Sequence, residues 1–125
     1  MKRKRTCPCE GQTLDHLLQP TVMALLVEGP LHGYALIERL KDSPLMKGNA
    51  PDRMGVYRLL NRLEEQGMVS HAWCESDEGP SKRLYELTSS GQKCLIKWID
   101  TLDGYRKDIG RLIAIMRKSA AVAST

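Results

Sequence analysis

Three groups of side chains in this sequence can do chemistry by their type and spacing. The first is Arg53, Met54, Tyr57, Arg58, Asn61 and Arg62, gathered within one short stretch. A guanidinium can pair with a guanine edge and a carboxamide with an adenine edge, while a phenol suits a phosphate or a thymine methyl. The second is Lys82 and Arg83, side by side after Gly79-Pro80, where two adjacent cations suit phosphate oxygens. The third is Cys7-Pro8-Cys9. Two thiolates one residue apart are soft metal ligands, but they do not complete a tetrahedral site. His16, Cys74, Cys94 or a second subunit would have to supply the rest. A Cys7–Cys9 disulfide is strained by so short a spacing and is disfavoured in a reducing compartment. The bland alternative is a reduced N-terminal tail, with Cys74 and Cys94 as small buried residues.

No catalytic constellation accompanies these groups. The glycines are scattered and make no phosphate-cradling loop, and no Ser, His and Asp set has a motif around it. Glu64-Glu65 reads as a solvated helix end. The sequence therefore predicts neither an enzyme nor a resident cofactor.

The chain of 125 residues is expected to form one domain with an appended helix. It contains no apolar run long enough to cross a membrane and no apolar core behind its basic start, so a cytoplasmic protein is expected. The net charge is +4, and Lys2, Arg3, Lys4 and Arg5 account for all of it. The remaining residues are formally neutral, so any case for a nucleic-acid partner rests on where charges sit. Residues 1–12 read as a basic arm, suited to a groove or to solvent alike.

The chemistry-bearing residues need elements to hold them. Thr13 or Asp15 can cap a first helix running to about Val27, with Leu14, Leu17, Leu18, Thr21, Val22, Leu25 and Leu26 on one face. Pro20 either kinks that helix or marks its true first turn. Gly29-Pro30 ends it. A second helix is expected from about Gly33 to Lys41, with Tyr34, Leu36, Ile37 and Leu40 as its apolar residues. Ser43-Pro44 and Gly48 to Pro51 bracket a loop. Asp52 then caps a third helix to about Gln66, with Gly67 as its stop. Val56, Leu59, Leu60 and Leu63 recur at helical spacing and face the core. Met54, Tyr57, Arg58 and Asn61 fall on the opposite side, with Arg53 in the first turn and Arg62 on the flank. Such a face suits a major groove, although Arg and Asn are also common on solvated helix faces.

Two strands are expected near Met68–Cys74 and Lys82–Leu87, joined by a hairpin with Gly79-Pro80 at its tip. The acidic stretch from Glu75 to Glu78 repels phosphates, which leaves Lys82 and Arg83 as the contacts. Val69 and Trp73 share a strand face and are expected to close the core, with His71 between them as a satisfied structural histidine. Thr88, Ser89 and Ser90 offer cap hydroxyls to a final helix over residues 89–119, followed by a short tail at 120–125. Leu95, Trp98, Leu102, Tyr105, Ile109, Leu112 and Met116 step alternately by three and four, which is a heptad seam. Ile99, Ile113 and Ile115 widen it. About thirty residues of helix span about 45 Å, longer than the expected winged domain over 13–88 can cover. The uncovered stripe suits a second copy of the chain.

Three blocks in order resemble the PadR family of bacterial transcriptional regulators. Leu26 to Leu36 is similar to an L-x-x-G-P-x-H-G-Y-x-L entry into the second helix. Tyr57 to Val69 resembles the Y-x-x-L-x-R-L-E-x-x-G-L-V recognition helix and exit. Gly79 to Gly91 resembles the wing run G-P-x-R-K-Y-Y-x-L-T-x-x-G. The chain departs from the family just before Tyr57, where Asp52-Arg53-Met54-Gly55 replaces a Ser-Pro-Gly-Thr-like start. The resemblance implies a winged helix-turn-helix, mainly α with a small β-hairpin, and a long C-terminal dimerisation helix of the short-tailed branch. It implies a homodimer on a palindromic operator and a small effector that loosens DNA binding. Trp98 is the candidate wall of an effector pore, or else plain dimer core. Two other readings stand beside the DNA-binding repressor. In one, the winged helix is a protein-interaction module for an acidic partner. In the other, the regulator senses metal or redox state through Cys7 and Cys9.

Overall fold

The computed structural model describes residues 17–44, 51–76 and 79–123, without the side chains of residues 75, 76, 79–81, 122 and 123. The elements run α1 (Leu18–Val27), β1 (Leu31–His32), α2 (Gly33–Lys41), α3 (Arg53–Glu65), β2 (Val69–Ser76), β3 (Gly79–Leu87) and α4 (Ser89–Ala123). The architecture is mostly helical with a small antiparallel sheet ordered β1-β3-β2. The N-terminal arm, Cys7, Cys9, His16 and the proposed caps Thr13 and Asp15 lie outside the described residues.

Pro20 is buried in the first turn of α1, where a residue without an N–H costs no helical hydrogen bond. The heart of the molecule is apolar. α1 contributes Val22, Met23 and Leu26, and α2 contributes Leu36, Ile37 and Leu40. α3 contributes Val56, Leu59, Leu60 and Leu63, and the sheet contributes Val69, Tyr85 and Leu87. Each fully buried aliphatic side chain stabilises the fold by about 1.5–3 kcal/mol, so the four α3 residues fix which face of that helix looks outward.

Both ends of α3 are set by local chemistry. The Asp52 carboxylate accepts a hydrogen bond from the Gly55 N–H at 3.2 Å, which caps the start. At the other end Gly67 takes φ 77°. The Gly67 N–H donates to the Glu64 carbonyl and the Met68 N–H to the Leu63 carbonyl, a Schellman closure. Thr88 then starts α4. Its hydroxyl accepts from the Gly91 N–H and donates to the Gly67 carbonyl. A Cβ at Gly91 would meet the Met68 carbonyl oxygen closely enough to displace backbone, so this joint requires glycine.

The structure corrects several expectations. β1 was not anticipated; Leu31 and His32 pair with Tyr85 and Leu84 at the mouth of α2. Ser76 pairs with Gly79, so Gly79 and Pro80 belong to β3 and are not the tip of the hairpin; residues 77–78 lie outside the described residues. Lys82 and Arg83 therefore sit along the ribbon, opposite Cys74 and Trp73, and not at its tip. Trp73 is 61% exposed and does not close the core; the sheet face it shares with buried Val69 runs past the end of the apolar layer. Tyr34 is likewise 61% exposed and does not join the apolar face of α2.

α4 divides into two parts. Cys94, Leu95 and Trp98 are half-buried against the core of their own domain. From Gly104 to Ala121 every residue is exposed. Among the described residues no helix is long and apolar enough to cross a membrane.

Candidate nucleic-acid interface

The outward face of α3 carries Arg53, Met54, Arg58, Asn61 and Arg62, all exposed. Arg58 Nη2 lies 3.6 Å from Asp52 Oδ2, the carboxylate that also caps the helix. Both side chains are largely solvated, so the pair is weak, and Arg58 can leave it for a stronger acceptor. Tyr57 departs from the expected grouping. It is half-buried and packs against α2: a Cβ at Gly33 would lie 2.6 Å from the Tyr57 hydroxyl oxygen. It is therefore wedged between α2 and α3 and does not project with Arg58 and Asn61.

The ribbon supplies the second positive surface. Lys82 and Arg83 are both exposed. The Arg83 guanidinium lies 5.3 Å from the centre of the Trp73 ring, a cation–π contact that holds both side chains on the flank of the ribbon. The Arg83 carbonyl faces His32 Nδ1 at 3.3 Å, which ties the ribbon to β1 when that nitrogen carries the proton. His71 reaches the other way. Its Nδ1 is 2.6 Å from one Glu64 carboxylate oxygen and 2.8 Å from the other, and its ring edge meets Trp73 at 90°. His71 is thus the structural histidine expected from the sequence. Glu64 is not the solvated helix end expected, because it anchors the last turn of α3 to β2.

Between the two surfaces lies an open groove of about 470 Å³, lined by His32, Gly33, Tyr34, Tyr57, Trp73, Lys82, Arg83 and Tyr85. Of these, sequence reasoning had singled out only Tyr57, Lys82 and Arg83 as contact residues. Tyr34 and Trp73 were read as apolar core positions because periodicity treats aromatic rings as core, and Tyr85, which does belong to the core, was not singled out. A smaller hollow of about 120 Å³ runs beside Trp98, between Cys94, Lys97 and Thr101. Among the described residues no cluster of His, Cys, Asp and Glu could hold a metal ion; Cys74 is exposed and Cys94 half-buried, and neither is in a disulfide.

This three-helix core with a ribbon after its third helix is a winged helix, and known proteins share both its sequence and its shape. Residues 22–97 match the Transcriptional regulator PadR-like family. The chain belongs to the PadR-like family. The match spans α1 through the first turns of α4, including both surfaces described above. A candidate transcriptional regulator from Thermoplasma acidophilum superposes with a TM-score of 0.70 at 27% identity, covering 82% of this chain and 96% of that one. A PadR family transcriptional regulator from Eggerthella lenta gives 0.68 at 24% identity, covering 84% and 91%. Bacillus subtilis PadR, solved in complex with operator DNA, gives 0.59 at 24% identity, covering 66% of this chain and 47% of that one. Among proteins of curated function, none matches the sequence.

Proposed function

We propose that this PadR-like regulator binds double-stranded operator DNA as a homodimer, with α3 in the major groove and the β2–β3 ribbon on the adjacent backbone. The observation that carries the reading is two exposed polar and basic surfaces, Arg53, Arg58, Asn61 and Arg62 on α3 and Lys82 and Arg83 on β3, with a groove that Tyr57 of α3 shares with Lys82 and Arg83. The likeness to Bacillus subtilis PadR, which was captured on operator DNA, supports the same use of the fold. Arg58 and Asn61 stand one helical turn apart on the exposed face, the spacing at which neighbouring side chains meet neighbouring bases.

The second half of α4 supplies the subunit contact in this reading. Tyr105, Ile109, Leu112 and Met116 form an apolar stripe beyond the reach of the domain's own core. Leu95 and Trp98 already lean on that core, so they enter the dimer seam from its edge, with Leu102 between the two regions. Two copies of α3 held by this seam read a palindrome. The protein acts as a cytoplasmic repressor, and a small effector in the Trp98 region releases it by changing the angle between the subunits.

Binding-site selection from random duplexes, followed by fluorescence anisotropy at several salt concentrations, tests the proposal. A selected palindrome should bind orders of magnitude more tightly than scrambled DNA at fixed salt. Equal affinity for both would sink operator recognition and favour an acidic protein partner.

A further inference from the structure

Tyr85 is the largest fully buried side chain in the core, at 1% exposure. No described residue gives its hydroxyl a hydrogen bond, yet no fully enclosed side-chain oxygen among the described residues goes unpaired. The hydroxyl is therefore reached from outside, and Tyr85 lines the groove between α2, α3 and the ribbon. A buried hydroxyl that keeps only a narrow opening is set to serve an incoming partner, because leaving a buried polar group unsatisfied costs more than a solvated one.

The rest of the groove names the chemistry of that partner. Lys82 and Arg83 bring two cations to its rim, and no carboxylate lines it among the described residues. Its wall includes the start of α2, where the His32 side chain does not cap the helix and its Nδ1 faces the Arg83 carbonyl instead. The first-turn N–H groups of a helix left without a side-chain cap attract an anion. Tyr57, pressed against Gly33, brings a second phenol to the same wall. Cations, a helix start and hydroxyl donors around one opening fit a tetrahedral oxyanion with several acceptor oxygens. The groove is walled by Tyr57 of α3 on one side and by Lys82 and Arg83 of the ribbon on the other, so on the DNA-binding reading the anion that reaches it is a backbone phosphate next to the segment met by the ribbon.

We infer that this groove is a built seat for a single phosphodiester of the operator backbone, in which the Tyr85 hydroxyl donates to a phosphate oxygen and thereby fixes the register of α3. The inference rests on the DNA-binding reading and adds to it one specified phosphate and one uncharged donor from the core.

Tyr85→Phe in the full chain tests it, because the ring and the packing stay. No described residue bonds the hydroxyl, so the melting temperature should not fall. Affinity for the selected operator should drop about ten- to a hundredfold, the range for one lost hydrogen bond to a charged group. The salt slope should stay the same, because no cation is removed. Operators carrying a neutral methylphosphonate at one backbone position at a time then locate the seat. For the wild type, one position in each half-site should be especially costly. Tyr85→Phe should lose that extra sensitivity and keep the others. Unchanged operator affinity in Tyr85→Phe, or affinity and melting temperature falling together, would overturn the seat while leaving DNA binding intact. Failure of the wild type itself to prefer any duplex would instead overturn the DNA reading, and the seat with it.

Discussion

Replacing Ile109 and Leu112 together by aspartate tests how the subunits meet. Tyr105, Ile109, Leu112 and Met116 are 52–58% exposed in the single chain, so each still has about half of its side chain to bury. Full burial of such a side chain stabilises by about 1.5–3 kcal/mol, so the remaining half offers about 1 kcal/mol per residue. The two positions on both subunits together offer about 4 kcal/mol, or roughly a thousandfold in the dimer dissociation constant. Four aspartates brought into one apolar seam add repulsion and desolvation in the same direction. The loss of freedom on association makes the whole seam worth less than its gross burial, so a dimer held in the micromolar range should become monomeric at any practical concentration.

Sedimentation velocity at micromolar concentration reads the outcome directly. The helical circular dichroism should be largely kept, because neither residue touches the core of its own domain. Operator affinity should collapse with the dimer, since a monomer brings one α3 and one ribbon to one half-site. A folded dimer that survives the double substitution would place the subunit contact elsewhere and refute the reasoning. Leu102→Asp is less decisive, because Leu102 is already half-buried and its loss also perturbs the single chain.

Three further outcomes are expected. Arg58→Ala and Asn61→Ala should each cost about 1–3 kcal/mol on the selected operator and relax base preference at one position, as read by competition with single-base variants; unchanged discrimination in both would move the reading face off this side of α3. Lys82→Ala and Arg83→Ala should weaken specific and scrambled duplexes alike and flatten the salt dependence by about one unit per lost phosphate contact, whereas identical slopes would take the ribbon out of the interface. Gly91→Ala should lower stability by about 1–3 kcal/mol, because its methyl group would press on the Met68 carbonyl, and chemical denaturation with unchanged midpoint would contradict that contact.

The helical core was legible because its signal is redundant. Val56, Leu59, Leu60 and Leu63 combine helical spacing with an Asp52 cap and a Gly67 stop, and all three features appear in the structure. β1 left no such trace. A two-residue strand has no periodicity, and Leu31 and His32 become one only by pairing with β3. Trp73 shows the limit of alternation, which says which residues share a face but not how far the core extends beneath it. Pro80 was misleading for a related reason: β1 covers β3 only at Leu84 and Tyr85, so near Pro80 that side of the strand is an edge where a residue without an N–H is tolerated. The groove was invisible because it is assembled from five elements spread along the sequence from His32 to Tyr85, and its buried aromatic, Tyr85, looks in the sequence like any other strand aromatic.

The heptad seam carries the remaining lesson, because one unbroken pattern runs through two environments. Leu95 and Trp98 are drawn to the chain's own core, while Tyr105 to Met116 follow the same spacing and stay exposed among the described residues. The change of environment occurs within a single continuous helix, so movement at one end is passed to the other. At its start, α4 is fastened to the end of α3: Thr88 bonds the Gly67 carbonyl through its hydroxyl and the Met68 carbonyl through its N–H. Gly91 presses on that same Met68 carbonyl. On the dimer reading, the crossing of two α4 helices therefore sets the separation of two α3 helices through a joint only a few residues long. Half-site spacing on DNA is a geometric match, so a small rotation at this joint is enough to move two reading helices out of register. On the same reading, an effector that altered the packing near Trp98 would act through this joint and would need no contact with α3 to do so.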